Sequence, residues 1–540
     1  MNKFYRMAVT NIGEKGDTDI FPFPIEKYLF QDKKTEILRI LEQMDKNFDN
    51  IIQVEPIDCI KTSVPNNYRG FRWATMIDPL WNAFYLGEVL KISEQIDSKR
   101  IPAGQECVFS YRLKYERKTG LLFDQNYNYK AFNKAANKLA EQHKYIINFD
   151  IADFYNSISH EKLRDVLLNN VKADGSAVNR IMEIISKIAG QGETYSLPIG
   201  GNASRILAES YLIPADRYMT ENKIRFCRFV DDYYVFAKSL NEAYTLLNNC
   251  ADYFRRNLGL SFQKSKTSVM SKSDFMTHSK AVDEEVGKEK DPVKASILSL
   301  KLGIDKYQEM GNEELRGFRD KINGSELVRL LKMECKKTEI NPMFSKQMVN
   351  AVQILDDKDK SAAFAALSEN FEKLYPIFPV IMRKAFHNLN YCSAQVKKTF
   401  YAKLMELFDK NSYIIQTDNN AAYALRLLSL NNSRDAKRII NDAYKKTHLK
   451  SKAPSDMVKM NAFYSMTNLR NVSWILERLN EFPKLSSWER RAASAALAFA
   501  GPKANRWSRT HENQLSKIEL LTWKWVSEKL SSNPNWRLPL

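Results

Sequence analysis

Cysteine and histidine are scarce, with six of each in 540 residues. The cysteines (Cys59, Cys107, Cys227, Cys250, Cys335 and Cys392) stand singly. No pair has the spacing of a zinc site or a redox motif, so reduced thiols in a cytosol are expected. The dispersed histidines likewise argue against a zinc centre. No apolar run is long enough to span a bilayer, so no membrane partner is expected. The run Met7-Ala8-Val9 near the start is too short for a signal peptide. Glycine thins out along the chain: only six of 18 lie after residue 285, so turns are few there.

What is abundant is positive charge. Lys and Arg number 82 against 64 Asp and Glu, a net charge of +18. That surplus suggests a polyanionic partner such as nucleic acid or nucleotide, although lysines that only aid solubility give the same sum. The length exceeds one compact core and implies two or more domains.

Three stretches differ in pattern. Residues 1–60 form an N-terminal segment: residues 11–19 read as loop, Phe21-Pro-Phe-Pro24 interrupts regular structure, and a helix follows with Ile37, Leu38, Ile40, Leu41 and Met44 on its apolar side. Residues 61–285 mix strand and helix patterns. From Ala281 to Pro292 the chain is charged and reads as a linker or exposed turn. Residues 286–540 show helical periodicity in segment after segment, at 361–371, 396–408, 420–428, 434–444 and 488–499. Antiparallel helix pairs in irregular repeats are expected there.

The chemistry is concentrated in the middle stretch. Tyr145-Ile-Ile-Asn-Phe149 is strand-like and ends on Asp150. A carboxylate at the end of a buried strand needs a cation, unless Asp150 merely caps the helix that begins near Ser159. Farther on, Ile224 to Phe229 and Tyr233 to Phe236 flank Asp231 and Asp232. This reads as a hairpin with two carboxylates at its tip. A solvated Asp-Asp turn has the same letters, but bound Mg²⁺ would turn the repulsion into attraction. One carboxylate from one strand and two from a later hairpin is the arrangement two-metal phosphoryl transfer requires. Between them, Ser196-Leu-Pro-Ile-Gly200-Gly201 makes an extended loop before a helix. Gly200 and Gly201 would let backbone approach a ligand, or simply form a turn.

The succession D-I-x-D-F-Y, L-P-I-G-x-x-x-S-x-x-L-A-E and F-V-D-D resembles the palm of bacterial reverse transcriptases, over about residues 61–276. The resemblance implies an α+β reverse-transcriptase fingers-palm followed by an all-α helical-repeat domain. It implies Asp150, Asp231 and Asp232 as catalytic carboxylates, with metal ligands at Asp150, Ile151 and Asp231 and with Mg²⁺, or Mn²⁺ in its place, as cofactor. Nucleotide-binding positions carried over are Arg69, Arg72, Tyr155, Gly200 and Lys266. Tyr155 falls where an aromatic ring excludes a 2′-hydroxyl, or is a core aromatic. Lys266 stands near the triphosphate or on the surface. Asp153 is an extra carboxylate taken as structural. One letter departs from the family's Tyr-x-Asp-Asp: Phe229 replaces the tyrosine, which puts primer-end contacts in doubt.

The L-P-I-G form, the lack of a recognisable thumb after Lys266 and the long helical half resemble the abortive-infection polymerases of the AbiK and AbiA type, prophage-encoded members included. That likeness implies a bacterial cytoplasmic enzyme that makes DNA from dNTPs without a template in defence against phage. It further implies a single-stranded DNA product attached to a tyrosine, and a homo-oligomer assembled through the helical domain. Tyr5, flanked by Lys3 and Arg6 in a terminal segment expected to be loosely held, is the candidate priming residue; its alternative is an ordinary anchoring aromatic. Two other readings are a template-copying, retron-like enzyme with bound RNA and an interaction protein with an inactive palm. The three intact aspartates oppose the latter.

Overall fold

The computed structural model describes residues 2–16, 18, 20–68, 70–190, 192–277, 324–446, 453–501, 507 and 511–540. The charged stretch from Ala281 to Pro292 lies outside the described residues, as does Arg69.

The first residues differ from expectation. Lys3–Lys15 is a helix, capped where Asn2 accepts a hydrogen bond from the Phe4 amide, so residues 11–15 are not loop. Thr10, Asn11 and Gly13 are poor helix formers, but tertiary packing overrides propensity. This helix packs against the long helix Pro79–Lys99. The closeness of the crossing explains Gly87: a Cβ there would sit 2.2 Å from the Tyr5 ring. Asn11 donates to the Gly120 carbonyl at 2.9 Å. The helix expected around Ile37 to Met44 spans Lys34–Lys46 and buries Ile37, Leu38, Leu41 and Met44.

β1 (Cys59–Pro65) and β2 (Phe71–Ile77) form an antiparallel hairpin, with Pro65 opposite Phe71 and Cys59 opposite Ile77. Asp78 then caps helix Pro79–Lys99 by accepting from the Leu80 and Trp81 amides. The second sheet contains β3 (Tyr145–Asp150), β4 (Arg225–Phe229), β5 (Asp232–Ala237) and β6 (Ser268–Ser271), in the order β4-β5-β3-β6. All three pairings are antiparallel. Ile146, Ile147 and Phe149 on β3 are fully buried, so this central strand is anchored on both sides.

From residue 324 onward the described residues form helices and no strand. The five expected helices are present as Asp357–Glu369, Ala394–Asp409, Asp418–Leu428, Arg434–Lys445 and Ser487–Leu497. Helix Asp418–Leu428 packs on Phe378–Asn388 and on Asp456–Asn468, which in turn packs on Ser487–Leu497, and that on Lys517–Ser532. Each helix thus touches the next but one or two along the chain rather than only its neighbour. Among the described residues no helix is long and apolar enough to cross a membrane.

The N-terminal helices and the C-terminal helices share one continuous core. Trp525 Nε1 donates to Asp32 at 2.7 Å, and Lys529 pairs with the same carboxylate at 2.8 Å. Arg491, itself buried, pairs with Asp78 at 2.6 Å. The tip of the β1–β2 hairpin is held too: the Tyr68 hydroxyl donates to the Lys373 carbonyl at 2.5 Å and accepts from the Ile340 amide at 3.1 Å. The described residues up to 60 are therefore packed between the middle of the chain and its helical end.

Candidate active site

The ladder between β3 and β5 brings the aspartates together. Asp150 is the last residue of β3 and Asp232 the first of β5, and the two are opposite in register. β4 and β5 are joined by the two-residue turn Val230-Asp231, with Phe229 opposite Asp232. The expected hairpin with Asp231 and Asp232 at its tip is thus present. The Ile151 amide donates to the Asp231 carbonyl at 3.2 Å, which ties the two strand ends together. On the other side, the Gln263 amide donates to the Asp150 carbonyl at 2.8 Å, and Ala152 donates to the Ser261 carbonyl at 2.8 Å. The segment leading to Lys266 is thereby laid alongside Asp150. Lys266 forms an ion pair with the Asp150 carboxylate.

Charge is concentrated in this small space. Asp150 is buried, while Asp231 and Asp232 are half-buried. Desolvation pushes the Asp231 carboxyl up to about 7, and the charges of Asp232 and Asp150 push in the same direction, against a smaller opposing pull from Lys266. A carboxyl raised in this way marks a place where a cation would be welcome.

The donor atoms fit Mg²⁺ or Mn²⁺, which take oxygen ligands. Ile151 is apolar and could supply only its backbone carbonyl. Among the described residues no three acidic, histidine or cysteine side chains surround a single point. An ion here would therefore rest on two carboxylates, completed by backbone, water and triphosphate oxygens. That is the usual manner for Mg²⁺ in phosphoryl-transfer sites. When bound, the metal would supply Lewis acidity toward the attacking hydroxyl and the leaving pyrophosphate.

The other expected residues fall variously. Tyr155 is half-buried on the short helix Phe154–Ser157 that follows Asp150, and its carbonyl accepts from the Leu197 amide at 2.8 Å. The first and second motifs are thus joined directly. Arg72 is half-buried on β2, and on the same strand the Thr75 amide donates to the Ile199 carbonyl at 3.4 Å. Asp153 is exposed and accepts from Asn156 Nδ2 at 2.8 Å, in keeping with a structural role.

At Gly200 a structural reason appears, and for Tyr5 an expectation is corrected. Gly200 has φ of 131°, a backbone that disfavours side chains, and a Cβ there would lie 2.8 Å from Thr18 Oγ1. The close approach that its missing side chain permits is to Thr18 of the chain itself. Tyr5 is not on a loose terminus. It is fully buried, its hydroxyl bonded to Glu88 and, at 2.8 Å, to Asp45. Burial, with Glu88 and Asp45 alongside, pushes its phenol far above the ordinary range, so it is a poor nucleophile as placed. Phe229 also has its explanation: the ring is buried edge-on to Tyr129, with centroids 5.4 Å apart, so this position packs the core.

Residues 89–295 match the family model described as "Reverse transcriptase (RNA-dependent DNA polymerase)". This chain carries a reverse-transcriptase domain. The match contains Asp150, Asp231, Asp232 and Lys266. No curated protein sequence matches the chain. Solved structures similar to it include telomerase from Candida albicans in complex with a fragment of telomeric RNA, at 12% identity and a TM-score of 0.30 over 73% of this chain. Another is apo telomerase from Candida tropicalis, at 8% identity and a TM-score of 0.28, covering 69% of this chain and 71% of that one. The chain spans 63% of the length of the first. Similarity at these TM-scores carries no weight for function.

Sequence reading missed three residues that border the reverse-transcriptase hairpin. Ser110, Arg228 and Asp216 are all buried and all bonded in or behind the turn that presents Asp231. Only Glu209, as a letter of the second motif, had a signal in the sequence.

Proposed function

We propose that the chain extends DNA from dNTPs by two-metal nucleotidyl transfer, with Asp150 and Asp231 holding the metal ions and Asp232 supporting them. The observation that carries this reading is Asp150 opposite Asp232 at the end of the β3–β5 ladder, with Asp231 next to them and its carboxyl pushed up to about 7. Lys266, paired with Asp150 and largely exposed, is placed to move to triphosphate oxygens once a metal takes over that carboxylate.

The finer reading is template-independent, protein-primed synthesis in bacterial abortive infection, in the cytoplasm. It rests on the motif resemblance to abortive-infection polymerases and on the helical half, which we read as irregular repeats. The Tyr68 hydroxyl joins the β1–β2 hairpin to this half, at the Lys373 carbonyl and the Ile340 amide. Tyr5 is not carried into the proposal. The apolar-faced helices of the C-terminal half are the proposed surface of a homo-oligomer, for light scattering to test.

The test supplies purified protein with Mg²⁺ and labelled dNTPs, with no template added. Label that stays with the protein on a denaturing gel, and is released by nuclease, is expected. Synthesis abolished by ribonuclease would favour a template-copying enzyme with bound RNA. No incorporation at all would favour an inactive palm.

Sugar selection offers a second check. Tyr155→Ala is expected to raise ribonucleotide use relative to deoxynucleotide use roughly 10–200-fold, the range a resized pocket gives. Competition assays with paired dNTP and rNTP read it, and an unchanged ratio would remove the ring from the sugar site.

A further inference from the structure

The turn that presents the carboxylates is itself unusual. Val230 has φ of 56°, a left-handed conformation that is unfavourable for a β-branched residue. Such a conformation persists only where its surroundings over-determine it. Here both backbone polar groups of Val230 are gripped by side chains. Its amide donates to Ser110 Oγ at 3.0 Å, and its carbonyl accepts from Arg228 Nη1 at 3.1 Å.

Those two side chains are fixed in turn by a buried ionic network. Ser110 Oγ donates to Glu209 Oε1 at 2.5 Å. Arg228 pairs with Glu209 at 3.1 Å and grips Asp216 with two bonds, Nε–Oδ1 at 2.9 Å and Nη2–Oδ2 at 2.6 Å. Arg100 holds the second Glu209 oxygen at 2.6 Å. All five residues are buried. A fork held on both oxygens of one carboxylate leaves the guanidinium little freedom.

We propose that Ser110, Glu209 and Arg228 are positioning residues that impose the left-handed conformation on Val230 and so set the spacing of Asp231 and Asp232 toward the metal. This rests on reading that pair as metal-holding. Ser110 is the most incisive point to probe. Its hydroxyl links the strained amide to the network, and its removal leaves every ion pair in place.

The experiment compares wild type, Ser110→Ala and the double variant Ser110→Ala/Val230→Gly. Hydrogen exchange of the peptide covering 229–233 is measured on metal-free protein, Mn²⁺ affinity by electron paramagnetic resonance, and the thermal midpoint alongside. Ser110→Ala is expected to speed exchange at the turn and weaken Mn²⁺ about tenfold, the worth of roughly one hydrogen bond, with the midpoint little changed. Glycine accepts positive φ freely, so the double variant should regain most of the Mn²⁺ affinity. Unchanged exchange in Ser110→Ala would overturn the claim that the hydroxyl holds the turn. Faster exchange with unaltered Mn²⁺ affinity would overturn the link to the metal. A wild type that binds no Mn²⁺, with exchange still responsive, would instead reject the metal reading of Asp231 and Asp232.

Discussion

Asp231→Ala is expected to reduce nucleotide incorporation about a thousandfold or more, without unfolding the protein. Metal-held charge supplies several kcal/mol of transition-state stabilisation, and one lost ligand leaves the ion poorly fixed. The fold should tolerate the change for a specific reason. The Asp231 carboxyl is pushed up to about 7 by desolvation and by its acidic neighbours, so its ionised form is disfavoured in the folded chain. A group whose folded value lies above its unfolded one contributes stability below about pH 4. That contribution is lost as pH rises through about 7. The metal-free wild type should therefore lose stability across that window, and the variant should lose less. Mg²⁺ should raise the wild-type melting temperature more at pH 8 than at pH 6, because the proton competes for the same oxygens. In the variant that pH dependence should vanish. Scanning calorimetry with and without Mg²⁺, beside a dNTP incorporation assay, reads both effects. Full incorporation by Asp231→Ala would remove the central assignment.

Arg228→Ala is expected to produce the largest loss of stability. Arg228 is wholly buried and answers two buried carboxylates, Glu209 and Asp216. Burial pushes the Asp216 carboxyl up, and the Arg228 charge and hydrogen bonds pull it the other way. Removing one partner of such a pair strands the other, at a cost of about 3–5 kcal/mol. Arg228→Lys should recover little, since an ammonium cannot span both Asp216 oxygens while also reaching the Val230 carbonyl. The urea midpoint of the unfolding phase reported by the palm is the measurement. An unchanged midpoint in Arg228→Ala would mean the network is not holding the hairpin.

The site was legible in the sequence where local pattern and chemistry coincide. Asp150 terminates an apolar strand and Asp231-Asp232 interrupts two others, so strand period and carboxylate placement could be read together. The helices after residue 324 were legible because their apolar stripes recur at helical spacing. What escaped reading was tertiary. Residues 11–15 have the letters of a loop, yet packing on helix Pro79–Lys99 makes them helical. Tyr5 sits near the chain end, but nothing local says that Gly87 opens a slot for its ring or that Glu88 and Asp45 bind its hydroxyl. Gly200 reads as a ligand approach or a turn, and nothing local says that Thr18, far away in sequence, lies against it. Ser110 and Glu209 are 99 residues apart, beyond the reach of any periodicity. The letters F-V-D-D identify the turn without revealing that Val230 is strained.

The most direct test of the account is anomalous diffraction from crystals grown with Mn²⁺ and a non-hydrolysable dNTP analogue. Manganese density is expected beside the carboxylates of Asp150 and Asp231 at the end of the β3–β5 ladder, with the triphosphate against it and Lys266 released from Asp150. Triphosphate and metal bound elsewhere, or no manganese at these carboxylates under saturating Mn²⁺, would contradict it.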